Sequence, residues 1–227
     1  MKRVLLAGLF LWFGPTAFAS TCLPGTLSDY INLGATGCNL NAVQFSNFNL
    51  APGQSFAVPI DPDTVQVTPA GGLSTPTLSL ALNTSAAAGE LFELFVGFNA
   101  SGGAMTAASI ALGSPTVTGD GAVTGILDVC ADGFFLGLAP IGCSGTPATA
   151  IAFAIASDSL PSSSVKFPAT GFFDIFADVT VDGGLAGTAT LASANVSVTT
   201  PEPAPVLLVT AALGLLGIVK LRRRKQF

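Results

Sequence analysis

Carboxylates are almost the only side chains in this sequence equipped for chemistry. Histidine is absent, and of the eight Lys and Arg, two stand at positions 2 and 3 and five between 220 and 225. Lys166 is therefore the single basic side chain from 20 to 200. That segment holds twelve acids: Asp29, Asp61, Asp63, Glu90, Glu93, Asp120, Asp128, Asp132, Asp158, Asp174, Asp178 and Asp182. Twelve acids against one lysine give it a net charge of −11, which the whole-chain value of −5 conceals. Without histidine, neither a Ser-His-Asp nor a Cys-His arrangement can be assembled, so serine hydrolase and cysteine protease chemistry are excluded. A surface this acidic repels phosphate backbones and excludes nucleic acid as a partner. Anionic polysaccharide would need a divalent cation as a bridge, whereas neutral sugar would not.

Two carboxylates are enough for glycoside hydrolysis, and Glu90 with Glu93 or Asp128 with Asp132 are the near pairs. Residues three apart on a strand face opposite sides, so Glu90 and Glu93 diverge. Asp128 and Asp132 flank the core-like Val129 and Cys130 and read as a solvated turn. No catalytic residue is assigned and no enzyme is expected. Calcium is the candidate cation for these carboxylates, since it wants several oxygens at short range. Asp61-Pro62-Asp63 puts two carboxylates in one turn, and Asp120, Asp128 and Asp132 would converge if hairpin ends met. No calcium-loop pattern accompanies them, so solubilising charge is the simpler reading and no cofactor is required.

Cys22, Cys38, Cys130 and Cys143 complete the reactive inventory. An even count in an exported chain points to disulfides, with three pairings open. Sequence proximity favours Cys22 with Cys38 and Cys130 with Cys143. Each would close a loop of roughly 15 residues and contribute ~3 kcal/mol through the unfolded state. Zinc is the alternative for four thiolates, but no histidine and no close cysteine pair accompany them.

The body that must position these groups runs from 20 to 200, enough for one domain with a sizeable core. Short alternating runs separated by Gly, Pro, Asn, Asp and Ser predict an all-β fold, a single β-sandwich of jelly-roll or Ig-like kind. Val65 and Val67 alternate with polar neighbours, as do Leu78, Leu80 and Leu82. Phe92, Leu94, Val96 and Phe98 form one face of a run whose other face mixes Leu91 and Phe95 with Glu93, which predicts cover on both sides. Further strands are expected over 109–112, 122–130, 134–138 and 149–155, and no helical stripe competes. The clearest strand is 172–181. Phe173, Ile175, Ala177, Val179 and Val181 make its core face, while Asp174, Asp178 and Asp182, with Phe172 and Phe176, make a wet one. Asp182-Gly183-Gly184 then turns the chain into a last strand over 186–198.

Both ends read as addresses. Lys2 and Arg3, an apolar run over 4–13 and the small-x-small pattern Ala17-Phe18-Ala19 predict a signal peptide over 1–19. The Sec translocon would export the chain and signal peptidase would cut after Ala19, leaving Ser20 first. At the other end, Pro201, Glu202 and Pro203 hold an extended backbone. Residues 204–219 carry no charge and predict a transmembrane helix of roughly 16 residues. Lys220, Arg222, Arg223, Arg224 and Lys225 follow, and such a cluster snorkels to the interface and stays on the cytoplasmic side. The body is then outside the inner membrane.

The Pro-Glu-Pro tripeptide, the apolar span and the terminal basic run resemble, in order and spacing, the PEP-CTERM sorting signal of bacteria. The resemblance covers only residues 201–227. It implies an exosortase-type processing enzyme as partner and a cell-surface or extracellular destination, often beside exopolysaccharide and biofilm. A second resemblance lies in the body. Cys22-Leu23-Pro24-Gly25-Thr26-Leu27, the Tyr30-Ile31-x-Leu33-Gly34-x-x-Gly37-Cys38 stretch and Phe45-Ser46-Asn47-Phe48 resemble an N-terminal module that recurs in one set of PEP-CTERM proteins. The expected function is a structural or adhesive role at the cell surface or in extracellular matrix. A binding module for neutral glycan or calcium is the alternative, and a carboxylate-based glycoside hydrolase the third reading.

Overall fold

The computed structural model of the protein describes residues 19–53, 55–137 and 141–201. Ala17, Glu202, Pro203, the apolar run over 204–219 and the basic cluster lie outside the described residues. Among the described residues no helix is long and apolar enough to cross a membrane. The strands, in order, are β1 (Ser20–Thr21), β2 (Gly25–Thr26), β3 (Cys38–Leu40), β4 (Val43–Leu50), β5 (Val58–Pro59), β6 (Gln66–Ala70) and β7 (Thr77–Ala86). Then come β8 (Leu91–Gly113), β9 (Thr116–Thr118), β10 (Ala122–Ala131), β11 (Thr146–Ile155), β12 (Asp158–Leu160), β13 (Ser162–Asp182) and β14 (Thr188–Thr199). A short helix, α1 (Leu27–Asn32), follows β2.

Two strands of unusual length organise everything else. β8 spans 23 residues and β13 spans 21, and they pair antiparallel from Leu91 against Asp182 to Ala111 against Ser162. Both bend at the same level. In β8 the bend holds Gly102 (φ +109) and Gly103 (φ +38), backbone conformations that L side chains resist. In β13 the register slips between Lys166 and Thr170, around Pro168, which has no N–H to give the ladder. The expected strands over 92–98 and 109–112 are thus halves of one bent strand.

The bend divides the mostly antiparallel sheet into two layers. In the first, β12, β11 and β10 lead to the second half of β13, then the first half of β8, then β4, β3 and β1. In the second, the first half of β13 and the second half of β8 lead to β14, β7, β6 and β2. The layers face each other: a Cβ placed on Gly125 of β10 would lie 3.0 Å from Ile110 and Leu112 of β8. Leu94, Val96 and Phe98 meet Leu78, Leu80, Val196 and Val198 in one buried cluster with Phe173, Ile175, Ala177, Val179 and Val181. The alternation of apolar residues along each strand produces this sandwich-like core directly.

Four local expectations are corrected. β14 does not return beside β13; it crosses to the other layer and fits between β7 and β8. Residues 134–137 form no strand, only a single bridge from Phe135 to Cys143. The outer face of β13 is not wet, since Asp174 is 9% exposed. Finally, a helix does form. At six residues α1 is too short to declare a period; it is fixed by a capping box. The Asp29 N–H donates to Thr26 Oγ1 (3.1 Å) and the Thr26 N–H donates to Asp29 Oδ2 (2.8 Å). These bonds also hold the Asp29 carboxyl below its usual range.

Both disulfides form between sequence neighbours, Cys22 with Cys38 and Cys130 with Cys143. The first secures α1 over the core. There the buried Tyr30 sits edge-on to Phe48 at 5.2 Å and donates its hydroxyl to Leu23 O (2.8 Å). Burial pushes the Tyr30 phenol up to about 12. The second disulfide holds the loop after β10 down on the first layer.

Candidate functional site

The outer face of the first layer carries the molecule's concentrated chemistry. Side chains alternate across a strand, so the outward residues of β10, β13 and β8 are those between the core positions. Register then makes neighbours of groups far apart in sequence. Asp128 lies opposite Phe176, Asp178 opposite Phe95, Asp174 opposite Asn99, and Thr180 opposite Glu93. The face is therefore a patchwork of carboxylates and phenyl rings. Phe95 and Phe176 sit 5.5 Å apart, Phe135 meets Phe176 at 5.5 Å, and Phe134 meets Phe172 at 4.7 Å.

Two polar networks run through it. Asp174 accepts from Asn99 Nδ2 (2.9 Å) and from the Phe135 N–H (2.9 Å), and Asn47 Nδ2 donates on to Asn99 Oδ1 (2.7 Å). This chain links the disulfide-held loop through β13 and β8 to β4. Burial pushes the Asp174 carboxyl up, against the pull of those donors. The second network is made of acids. Glu93 is 4% exposed, and its carboxyl lies near enough to Asp178 for its charge to act there. Asp178 Oδ1 is buried with no donor. Burial first, then the charges of Glu93 and Asp128, push Asp178 up to about 6. Burial beside two other acids favours the protonated form of Asp178. Asp128, also pushed up by burial, accepts from Thr149 Oγ1 (2.6 Å).

Residues 51–53 and 55–60 run over Glu93: the Ala51 N–H donates to Phe95 O and the Ile60 N–H to Glu93 O, and Gly53 packs on the Glu93 carboxylate. A cleft of about 120 Å³ remains there, between Ala57, Pro59 and Glu93.

The sequence-derived site residues are dispersed. Glu90 is exposed, its Oε2 taking the Ala87 N–H, while Glu93 is buried, so the two diverge as expected. Asp128 is no turn residue; it is buried within β10, because that strand continues to Ala131. Asp132 follows in a turn (φ +53) and accepts the Thr170 hydroxyl. Asp120 lies at the opposite end of β10, roughly 30 Å of extended chain away, so the three do not converge. Asp120 instead takes the N–H groups of Leu185 and Ala186 (2.9 Å each), which hold its carboxyl below its usual range. Asp61 and Asp63 share an exposed turn in which Asp61 Oδ1 accepts the Asp63 N–H (3.0 Å). Among the described residues no three His, Cys, Asp or Glu are grouped to hold a metal. Ser20 pairs with Cys38 at the start of β1, and Pro201 is exposed just beyond β14.

The Glu93–Asp178 pair was missed in the sequence. Its signals were there: a charge inside an apolar run, and acids alternating with phenylalanines on a single face.

No protein-family model matches the chain, and no curated protein does. Among solved structures, the chain is similar to TmCBM61 in complex with β-1,4-galactotriose, at TM-score 0.29 and 14% identity over 66% of this chain and 88% of that one. It is also similar to the glycosylation-associated protein Gap123 complex of Streptococcus agalactiae, at TM-score 0.30 and 10% identity over 72% of this chain and 27% of that one. A third is endoglucanase 3 of Trichoderma harzianum, family GH12, at TM-score 0.22 and 11% identity over 67% of this chain and 97% of that one. Scores this low carry no ligand or activity across.

Proposed function

We propose that the protein is an exported, non-catalytic cell-surface or extracellular-matrix protein, with a signal peptide over 1–19, an ectodomain over 20–200 and a PEP-CTERM-type sorting signal over 201–227. Its role is structural or adhesive, in a setting rich in exopolysaccharide. The supporting observation is the way the body ends. β14 is a central core strand, Thr200 is pinned by bonds to Ser74 O (2.9 Å) and Leu73 O (3.3 Å), and the next residue, the exposed Pro201, opens the tripeptide. A processing enzyme at the membrane would meet the handle immediately outside a rigid domain. Two disulfides suit an oxidising compartment. The test is intact mass spectrometry of membrane and culture-supernatant fractions, beside a variant with Pro201, Glu202 and Pro203 replaced by alanine. A supernatant species starting at Ser20 and ending near Pro203, absent in the variant, is expected; a membrane-only species retaining Phe227 in both would defeat the sorting reading.

A second reading, a binding module for neutral glycan, draws on the outer face of the first layer. There the half-exposed Phe134 and its neighbour Phe172 form a stacking surface, held from beneath by the buried Asp174, which takes the Phe135 N–H. Calorimetry with neutral oligosaccharides, with and without calcium, is its test. Heat that survives Phe134→Ala unchanged would remove this face as the site.

A further inference from the structure

The molecule is polarised along its strands. One end, at the level of the β8 and β13 bends, gathers the turn between β6 and β7, residues 102–104, the loop closed by Cys130–Cys143 and the chain exit at Pro201. Contacts join them: Thr200 Oγ1 donates to Leu73 O, Gly103 lies against Thr200, Ser101 pairs with Phe172, and Phe172 meets Phe134. Four large apolar side chains are exposed here, Leu73 (72%), Phe134 (55%), Leu136 (80%) and Ile141 (76%). Lys166, the body's one cation, is exposed beside the bend, opposite Ala107. The acids of this end are Asp132, which takes the Thr170 hydroxyl, and the buried Asp174.

The opposite end is acidic. Glu90 and Asp182 flank the start of β8, Asp120 holds the turn after β13, Asp158 opens β12, and Asp61 lies beside Ser85 and Phe92. Its exposed apolar residues, Val58 beside Phe92 with Phe56 just before it, Ile155, Leu160 and Leu185, are interspersed with these charges, so the two ends differ in charge more than in apolar exposure.

We infer that the end bearing Leu73, Phe134, Leu136, Ile141 and Lys166 rests on the phospholipid surface of the membrane that holds the tail. This rests on the tail reading given above. The argument is one of length and charge. Pro201 is exposed at this end, and only Glu202 and Pro203 separate it from the uncharged run over 204–219. Three extended residues reach about 10 Å, so a bilayer crossed by that run cannot be far from this end. Anionic headgroups repel the acidic end and accept the lysine, while apolar side chains enter the headgroup boundary. The docked body would present the Pro-Glu-Pro bonds at a fixed height and angle to a membrane-embedded enzyme.

The experiment uses the full chain in a Trp12→Phe background, so that each reporter is the sole tryptophan. Leu136→Trp and Leu73→Trp are compared with Leu185→Trp at the far end, all three at exposed positions. Proteoliposomes of phosphatidylethanolamine and phosphatidylglycerol carry brominated acyl chains as quenchers. Flotation of all three chains, with the Leu136→Trp and Leu73→Trp reporters quenched at least about threefold more than Leu185→Trp, is expected for side chains lying in the interface. Flotation with equal quenching, or with Leu185→Trp quenched more, overturns the docked orientation and leaves the tail reading standing. A full chain that does not float overturns both.

Discussion

The two faces of β13 between 172 and 182 are built on different physics. The inner face, Phe173 to Val181, is fully buried hydrocarbon, and its stability follows from area removed from water. The outer face, Asp174 to Asp182, is half-buried and polar, and its stability follows from whether each group finds a donor. An apolar face tolerates approximate fit; a covered polar face is stable only when its accounts of donors and protons balance.

Substitutions separate the two. Phe173→Ala should lower unfolding free energy by about 3–5 kcal/mol in urea melts, because the buried ring packs on Phe167 at 5.0 Å and leaves a cavity when truncated. Asp174→Ala should cost about 2 kcal/mol, since it strands the Asn99 amide and the Phe135 N–H without an acceptor. A loss as large as that for Phe173 would mean that the outer face also works by packing.

Asp178 behaves oppositely. Its carboxyl is raised from 3.8 to about 6, so the folded protein holds that proton more tightly than the unfolded chain does. The resulting stabilisation is full below about pH 4 and is lost as pH rises through about 6. Asp178→Asn should remove that slope and raise stability at pH 7.5, on the order of 1 kcal/mol once solvent screening is allowed for. Unchanged pH dependence in melts from pH 4.5 to 7.5 would place the proton elsewhere. The smallest effect is expected at Asp120, fully exposed but lowered by the Leu185 and Ala186 amides. Its contribution is present at neutral pH and lost as pH falls through its folded value, so Asp120→Asn should flatten the acid limb of the stability curve below pH 4.

The inner face was legible because a period of two needs no partner to be read. Phe173, Ile175, Ala177, Val179 and Val181 declare a core whatever packs on it. The outer face was not, because the cover over Glu93 and Asp174 comes from residues 51–53, 55–60 and 132–137, distant in sequence and without periodicity. Asp128 was misplaced for the same reason: β10 runs on past it to Ala131, and only pairing with β11 and β13 on both sides reveals that. The cysteine pairs follow from proximity. The strand order does not, since β14 is held by β7 and β8 through contacts no local pattern encodes.

That placement of β14 sets a clock. It is the last strand among the described residues, yet it lies between β7 and β8, so a chain lacking it leaves both with open edges and the second layer incomplete. Long-range pairings of this kind form late. A chain emerging N-terminus first can close its core only when residues 188–199 have arrived, one residue before Thr200 and two before Pro201. Completion of the fold and arrival of Pro201-Glu202-Pro203 are therefore nearly the same event, so a chain that displays the tripeptide already holds every strand its core needs.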